Sequence, residues 1–430
     1  MLSFRRSADP NIYLFITFLL LIIFGASLLK LPVVKFNGHL SVLDALFTST
    51  SAVCVTGLTV VDVSDFNTIG QIFIILLMEL GGLGIMYLSA TLFLLLRGQL
   101  SFKQRLMFKE FHGSYDFYNM EYILPIIILY TFLIEFIGMC FLTAGFCIDG
   151  YSFGTSVYYA IFHSVSAFCN AGLSIFDENL IHANSLIKVT IMGLIVLGGI
   201  GFYVVYDVYE RIKKPGKFRL HTKVVVITTV FLILIGAFLL FLLEWGKISI
   251  IDAFFQSITP RTAGFNTVDL TKLSQASKFL LIFLMIIGAS PASTGGGVKT
   301  STAFLTLLAI YLVLKGKFDF IIFKRKVPVE TILRAFSIVL LYLFVLFFAT
   351  TLILVTHRLN LLEVVFEVAS AMGTVGLSLG VTRELTEVGK IIIILCMFLG
   401  RIGPASLLII MIKREKTQVV SYPEEKILLG

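Results

Sequence analysis

Four short segments of the chain share a glycine ten positions after a phenylalanine, and this shared pattern is the part of the sequence best suited to chemistry. A hydrophobic residue and then a small polar one follow each glycine, in segments that begin at Phe47, Phe162, Phe254 and Phe366. Glycine tolerates backbone conformations that other residues avoid and allows close approach to its backbone. A chain that turns back inside a membrane can aim carbonyl oxygens at one axis and replace the hydration shell of a cation. The pattern therefore predicts four pore loops around one ion path.

The glycine and the two residues before it in each loop are the predicted ion-binding backbone. The residue two positions before the glycine is not the same in all loops, so we expect an asymmetric filter with fewer well-formed ion sites than a uniform one. The fourth loop reads Thr374-Val375-Gly376, the start of the potassium-channel filter sequence, which favours K⁺ as the metal ion held here. The predicted filter residues are Val55, Thr56, Gly57, Asn170, Ala171, Gly172, Thr262, Ala263, Gly264, Thr374, Val375 and Gly376.

Composition places these loops in a membrane protein. The chain has 430 residues, of which 58% are hydrophobic and only 14% are charged, whereas soluble chains are about 25% charged. Eight apolar stretches are long enough to cross a bilayer as helices, and the four loops lie between the members of successive pairs. The predicted spans are 12–34, 68–96, 122–147, 186–208, 223–244, 277–314, 332–356 and 386–412.

The predicted fold is an all-α integral membrane protein of four parallel helix–pore-loop–helix repeats around a central pore, with eight transmembrane helices and four pore half-helices. A half-helix such as 47–54 points its C-terminal end, which carries partial negative charge, at the membrane centre, where it favours a cation. Two full spans in each unit make all units parallel, since inverted repeats need an odd number of spans. The predicted units are 1–97, 98–212, 213–315 with a broken second helix, and 316–430 with a short C-terminal tail.

Charge sets the predicted orientation. The net charge is +8, and most of the 34 lysines and arginines lie in the chain ends and in the segments between units. The positive-inside rule puts these segments and both termini in the cytoplasm and the pore loops outside. We therefore expect a multi-pass protein of the cell (inner or plasma) membrane, surrounded by lipid. The basic residues form no aromatic-interleaved face, so no nucleic-acid partner is predicted.

The sixth span, 277–314, is too long and too rich in helix breakers to be one helix. It contains Pro291 and the run Gly295, Gly296 and Gly297, which cannot sustain a helix cheaply. Two helical halves joined by a non-helical intramembrane segment fit better. The functional interpretation is a mobile loop, ending near Lys299, that obstructs the pore below the filter. The alternative is a kinked helix with a packing role.

Arg401 is a charged residue in the middle of the last apolar span. It lies ~17 Å of helix from either end, too deep for its side chain to reach the interface easily. In the pore it would repel cations and act with the loop as part of the gate. The alternative is a structural ion pair with Glu79 or Glu135, which are also in mid-span.

Other classes of protein find little support in the sequence. No HExxH or GxSxG motif occurs, the five cysteines form no CxxC pair, and no P-loop is present. The chain is therefore predicted not to be an enzyme and to carry no covalently bound cofactor; control by nucleotide (ATP or ADP) would need another polypeptide. A carrier with alternating access would need two rocking halves, which four parallel loops do not provide.

The four loops, their spacing and the glycine-rich sixth span resemble the Trk/Ktr/HKT superfamily of cation transporters, over essentially the whole chain. Without extra spans before the first unit, the chain is most similar to the Ktr-type membrane subunits (KtrB). The resemblance implies potassium uptake, a homodimer with one pore per protomer, and a cytosolic nucleotide-binding regulatory ring (KtrA-like) as partner. It also raises Na⁺ as an activator. Glycine in all four filters resembles the potassium-selective members, since sodium-selective relatives place serine in the first loop.

Overall fold

The structure is a computed structural model that describes residues 10–84 and 120–403. Both chain ends and the basic segment 85–119 lie outside the described residues. So do the predicted continuations of the second and eighth spans to 96 and 412. All the filter and gate residues predicted from the sequence are within the described ranges.

The regular secondary structure of the described chain is helical except for one short hairpin. Two single 3₁₀ turns, Val63–Asp65 and Leu270–Lys272, and the antiparallel strands β1 (Ile321–Ile322) and β2 (Arg325–Lys326) complete it. The helices are α1 (Pro10–Leu29), α2 (Val42–Val53), α3 (Thr68–Leu83), α4 (Met120–Ile148), α5 (Phe153–Phe168), α6 (Ser185–Gly199), α7 (Phe202–Lys213), α8 (Leu220–Leu243), α9 (Ile250–Ile258), α10 (Gln275–Ile286), α11 (Thr300–Leu314), α12 (Val329–Thr356), α13 (Leu361–Gly373), α14 (Val381–Glu384) and α15 (Glu387–Ile402).

Four helices, α2, α5, α9 and α13, are the half-helices that precede the predicted filter. Each begins at a residue whose side chain accepts a hydrogen bond from a backbone N–H of the first turn, which satisfies one of the donors left open at a helix start. The caps are Ser41, Ser152, Ser249 and Asn360. The chain thus turns into each half-helix by the same local chemistry.

The helices close into a ring. The second helix of each repeat packs against the half-helix of the next repeat: α3 against α5, α6 against α9, and α10 against α13. The last contact, α15 against α2, joins the end of the chain to its beginning. Four repeats in chain order therefore surround one axis, which is the arrangement that parallel repeats require.

The third half-helix differs from the alignment made on sequence. The phenylalanines Phe47, Phe162 and Phe366 are fully buried, and their counterpart in the structure is the fully buried Phe255, not the partly exposed Phe254. The alignment from Phe254 is therefore wrong by one position. The third loop is one residue shorter than the other three between its phenylalanine and its glycine.

Three described helices are long and apolar enough to cross a membrane by themselves: Ile123–Ile148 within α4, then α8 and α12. The predicted span 186–208 is wrong as a single helix, because α6 and α7 meet at 90°. Gly201 makes the bend with a φ of +94°, which side chains disfavour. The carbonyl of Gly199 is not left unpaired there, since the N–H of Ser290 donates to it at 3.0 Å.

The sixth predicted span is interrupted. Helices α10 and α11 are joined by residues 287–299, which we call the gate loop. Its two ends are held together where the N–H of Gly288 donates to the carbonyl of Val298 at 2.9 Å and the N–H of Val298 donates to that of Ile286 at 3.2 Å. The loop is therefore a closed hairpin-like turn within the helical bundle.

Glu244 ties the end of α8 to the start of α10. Its side chain is 1% exposed and accepts hydrogen bonds from the Ser274 N–H and the Ser277 hydroxyl, both at 2.7 Å, and from Lys247 at 3.3 Å. Burial raises the pKa of Glu244, but these hydrogen bonds outweigh burial and lower the pKa to about 2. The carboxylate is therefore charged in the folded protein except in strong acid.

We expect Glu244→Gln to lower the free energy of unfolding by about 1–3 kcal/mol at neutral pH, because two buried donors lose a charged acceptor. The folded pKa is about 2 and the ordinary value is 4.5. The stabilisation is therefore complete above the higher value and is lost as the pH falls towards the lower one. Melting temperatures of both proteins in detergent, measured from neutral to acid pH, should converge over that interval.

The control for this prediction is Glu178→Gln. That carboxylate is exposed and lies beside the exposed His182, so its loss should change stability little. Equal melting temperatures of wild type and Glu244→Gln at neutral pH would contradict the role given to Glu244.

Candidate ion filter and gate loop

The four predicted filter segments adopt one shared backbone conformation. The residue two positions before each glycine has a positive φ although it carries a side chain: 56° at Val55, 59° at Asn170, 78° at Thr262 and 49° at Thr374. Such conformations cost of order 1–3 kcal/mol each and cluster at ligand sites. The glycines themselves also have positive φ, between 67° and 96°. All four loops therefore turn by the same strained path, in spite of their different side chains.

The four glycines contact one another in a closed circuit. A Cβ placed on Gly57 would lie 2.5 Å from the Ala171 carbonyl oxygen, in the second loop. A Cβ on the second filter glycine would meet a carbonyl oxygen of the third loop, and one on the third glycine would meet a carbonyl oxygen of the fourth loop. A Cβ on the fourth glycine would meet the Thr56 carbonyl oxygen of the first loop. All three distances are shorter still. The structure thus brings all four segments together around one axis, with no room for a side chain at the glycine positions.

Hydroxyl groups behind the loops hold this backbone in place. Ser51 and Ser370 accept hydrogen bonds from the N–H groups of Gly57 and Gly376, both at 3.0 Å. Ser166 donates to the Leu173 carbonyl at 2.7 Å. In the shorter third loop, a threonine hydroxyl donates to the corresponding carbonyl at 2.6 Å. The loops are therefore fixed from the side away from the axis.

The carbonyls next to the glycines have no such partner. Within residues 10–84 and 120–403, no hydrogen-bond donor contacts the carbonyl oxygens of Thr56, Ala171, Ala263 or Val375. Buried carbonyls are normally paired. Four unpaired carbonyls in one ring form the kind of site that coordinates a dehydrated cation.

Above the ring, on the predicted outer side, a cavity of about 280 Å³ opens. Gly57, Gly264 and Gly376 form part of its lining, and Asp177 and Asp269 are among its acidic residues. A cleft lined by negative charge raises the local concentration of cations. The mouth therefore matches a path that collects cations before they reach the ring.

Below the ring, the gate loop contacts three of the four filter segments. Asn170 donates to the Thr294 hydroxyl at 3.0 Å, and the Gly296 N–H donates to the Thr374 hydroxyl at 3.0 Å. Gly295 leaves no space for a Cβ against the Thr262 side chain. The loop thus lies directly against the inner end of the predicted filter.

Two basic residues donate to carbonyls of the gate loop, Lys299 from within the loop and Arg401 from outside it. Lys299 donates to the Gly295 carbonyl at 2.6 Å. Arg401 donates to the Thr294 carbonyl and to the carbonyls of Gly81 and Gly82 at the end of α3. Arg401 therefore joins the gate loop to a helix of the first repeat.

The ion pair considered for Arg401 is not formed. Among the described residues, neither Glu79 nor Glu135 makes a salt bridge with it. Its side chain reaches backbone carbonyls of the loop and of α3 instead, since these approach it more closely. The hypothesis of a structural pair with either glutamate is wrong.

The sequence analysis did not identify a set of glycines that pack against the half-helices. Gly81, Gly198 and Gly400 each leave no space for a Cβ, because they pack directly on the last carbonyls of a half-helix. A regular spacing in the sequence could have revealed them. Gly81, Gly400 and Gly288 of the gate loop each follow the filter glycine of their own repeat by 24 residues, and Gly198 follows its own by 26. Arg401 stands directly after one of these glycines.

Comparison with known proteins decides the family. The TrkH family, described as cation transport proteins, matches residues 4–422. The chain belongs to the TrkH family. It is 39% identical to the Ktr system potassium uptake protein B of Vibrio alginolyticus, over 99% of this chain and 96% of the relative. It is 35% identical to the potassium/sodium uptake protein NtpJ of Enterococcus hirae, over 99% of this chain and 98% of that protein.

The fold agrees with this assignment. The crystal structure of the potassium transporter TrkH from Vibrio parahaemolyticus matches with a TM-score of 0.74 at 20% identity, over 95% of this chain and 86% of that one. The resemblance to the Trk/Ktr/HKT superfamily and the all-α membrane fold are confirmed. This TrkH-family chain is a cation transport protein and not an enzyme. The limits of the four units and the ion-binding role of the filter residues stay predictions.

Replacing Gly57 by Ser should reduce the ratio of potassium to sodium flux by roughly tenfold, the effect of about 1.4 kcal/mol. The new side chain must displace the Ala171 carbonyl, 2.5 Å from its Cβ. The measurement is cation flux into liposomes that contain the purified variant.

Gly150→Ser is a matched control, because Gly150 has a similar φ of +92° but open space around it. It carries the same backbone strain outside the filter. A Gly57→Ser protein that discriminates like the wild type would show that Gly57 is not part of the filter.

Proposed function

We propose that this protein mediates potassium-selective ion translocation across the cell membrane, through the ring of filter carbonyls and under control of the gate loop. One observation carries the proposal: four unpaired backbone carbonyls in a closed ring, with the gate loop against its inner end. Relatives named for potassium uptake support the choice of ion. Potassium is the substrate and no other cofactor is needed for this step.

Potassium selectivity would follow from the backbone of the ring. Carbonyl oxygens replace the hydration shell of an ion, and the ring is held by hydroxyls behind it. The strained conformation extends over residues with different side chains, among them Val55 and Asn170. Asn170 turns its amide to the gate loop, so the lower part of the filter is asymmetric. We infer fewer equivalent ion sites than four identical loops would give.

Gating would consist of moving the loop away from the filter. The hydrogen bonds that hold it include those of Thr294 and Gly296 to the filter, that of Ser290 to α6, and those of the Arg401 side chain. A fixed charge such as Arg401, ~6 Å from a passing ion, opposes it by roughly 3 kcal/mol at an effective dielectric near 20. Arg401 thus acts in two ways, as a latch for the loop and as a barrier to cations.

Regulation would come from a partner on the cytoplasmic side. We infer a homodimer that binds a nucleotide-binding regulatory ring of the Ktr type, so that ATP or ADP acts through that subunit, with Na⁺ as an activator. The word "system" in the name of the Vibrio alginolyticus relative supports a partner. The exposed hairpin β1–β2 and the neighbouring Lys217 and Lys223 surround a cavity of about 490 Å³ on the predicted cytoplasmic side.

A flux assay tests the proposal. Purified protein in liposomes should pass potassium down its gradient, faster than sodium and without coupling to another ion. A carrier would instead show saturable flux with strict coupling. Sodium-coupled or absent potassium flux in well-folded protein would refute passive potassium translocation.

Arg401→Ala should raise basal potassium flux by roughly tenfold or more, because it removes both a barrier of about 3 kcal/mol and the latch on the gate loop. The ratio of potassium to sodium flux should not change, since the filter lies above the loop. Flux and melting temperature are measured on the same purified variant.

Arg401→Lys separates the two effects, because it keeps the charge but loses the fork that reaches three carbonyls. Flux similar to Arg401→Ala would assign the larger effect to the latch, and flux similar to the wild type would assign it to the charge. Lower flux together with a lower melting temperature in Arg401→Ala would refute a gating role.

A further inference from the structure

Behind the second filter segment lies a buried cluster of two carboxylates and a thiol. Glu79 of α3, Glu135 of α4 and Cys169 at the end of α5 each offer a ligand atom within 4.8 Å of the others. The Cys169 thiol contacts a Glu79 oxygen at 3.3 Å, and a Glu135 oxygen lies within 4.8 Å of both of these atoms. Three different helices therefore bring their ligand atoms to one point.

The cluster lacks partners of its own. Glu135 is only 6% exposed, and its Oε1 makes no hydrogen bond; Glu79 Oε1 is unpaired as well. Two neighbouring carboxylates in a buried place cannot both be charged unless a proton or a cation lies between them. The unpaired oxygens of two helices are therefore suited to bind a cation.

We propose that Glu79, Glu135 and Cys169 bind a divalent cation of the zinc class, and that its binding slows potassium flux. A thiolate with two carboxylates is a donor set that suits Zn²⁺ and Cd²⁺. Their ligand atoms lie about 3.3–3.6 Å apart around a tetrahedral ion, from bonds of 2.0–2.3 Å. A closure of about 1 Å would therefore complete the site. The thiol proton would leave to water on binding, and the ion's two positive charges together with the single charge of Arg401 would balance two carboxylates and a thiolate.

The charges nearby allow this. The guanidinium of Arg401 is close, but it donates to the carbonyls of Gly81 and Gly82 rather than to the glutamates. Two carboxylates and a thiolate outweigh its single positive charge. Glu79 is the least buried of the three ligands.

The effect on flux follows from position and rests on the proposed function. Cys169 immediately precedes Asn170, whose backbone belongs to the filter and whose side chain donates to Thr294 of the gate loop. An ion that draws the Cys169 sulfur towards Glu135 moves the end of α5 and with it the second filter segment. Binding should therefore reduce conduction.

The chain contains a matched control. Cys54 ends α2 as Cys169 ends α5, and it is also fully buried. The structure places no comparable pair of carboxylates beside it within the described residues. Cys54→Ala thus changes an equivalent thiol without touching the proposed ligands.

Binding is measured with CdCl₂ on purified full-length protein, in a background where the exposed Cys140 and Cys147 are replaced by alanine. Bound cadmium per chain and the ultraviolet thiolate-to-cadmium absorption band are the two readouts. We expect one ion and the band in the background protein and in Cys54→Ala. Both should be lost in Cys169→Ala. Glu135→Gln should weaken binding by roughly tenfold or more, with a melting temperature measured to confirm folding.

Potassium flux into liposomes is then measured with cadmium, and again after a chelator. We expect cadmium to slow the background protein and Cys54→Ala reversibly and to leave Cys169→Ala unaffected. Equal cadmium binding by the background protein and Cys169→Ala, or no binding by either, overturns the site. Potassium flux that stays unchanged when cadmium is bound would overturn the proposed inhibition. Absence of potassium flux without cadmium would instead refute the proposed function, while the binding data would still decide the site.

Discussion

The close approach of four glycines to four carbonyls is the constraint on which the rest of this structure depends. A Cβ on any of these glycines would meet the backbone of the next loop, so each loop fixes its neighbour and none can be changed alone. The half-helices, their caps and the hydroxyls behind the loops all maintain that approach. Even the strain in non-glycine residues such as Val55 and Thr374 is understandable, because the ring leaves those residues no other path.

The four loops of the ring have closely similar backbone conformations, but their surroundings differ. The third loop is a residue shorter, yet its glycine takes its place beside the others. Below the filter the repeats differ in the side chains they supply: one repeat supplies the gate loop and another supplies Arg401. A repeated fold can thus keep one shared function at its axis while single repeats acquire separate roles around it.

Sequence reasoning predicted the parts of the fold that recur. Four copies of one pattern made the half-helices and the filter glycines visible, and three consecutive glycines made the interrupted helix visible. It failed where a feature depends on contact between repeats. The 90° bend at Gly201 is held by the gate loop, which is distant in sequence. The carbonyl partners of Arg401 were equally hidden, because backbone oxygens leave no trace in a sequence.

The packing of α15 against α2 has a consequence for the synthesis of the protein. The ring has no closed form until the last repeat is present, since its final contact joins the last repeat to the first. At typical rates of about 5–20 residues per second, a last repeat of roughly a hundred residues leaves an open arc in the membrane for several seconds. During that interval the unpaired carbonyls of the first three loops face an incomplete wall. Assembly must therefore either delay the insertion of the loops or shield them until the chain ends.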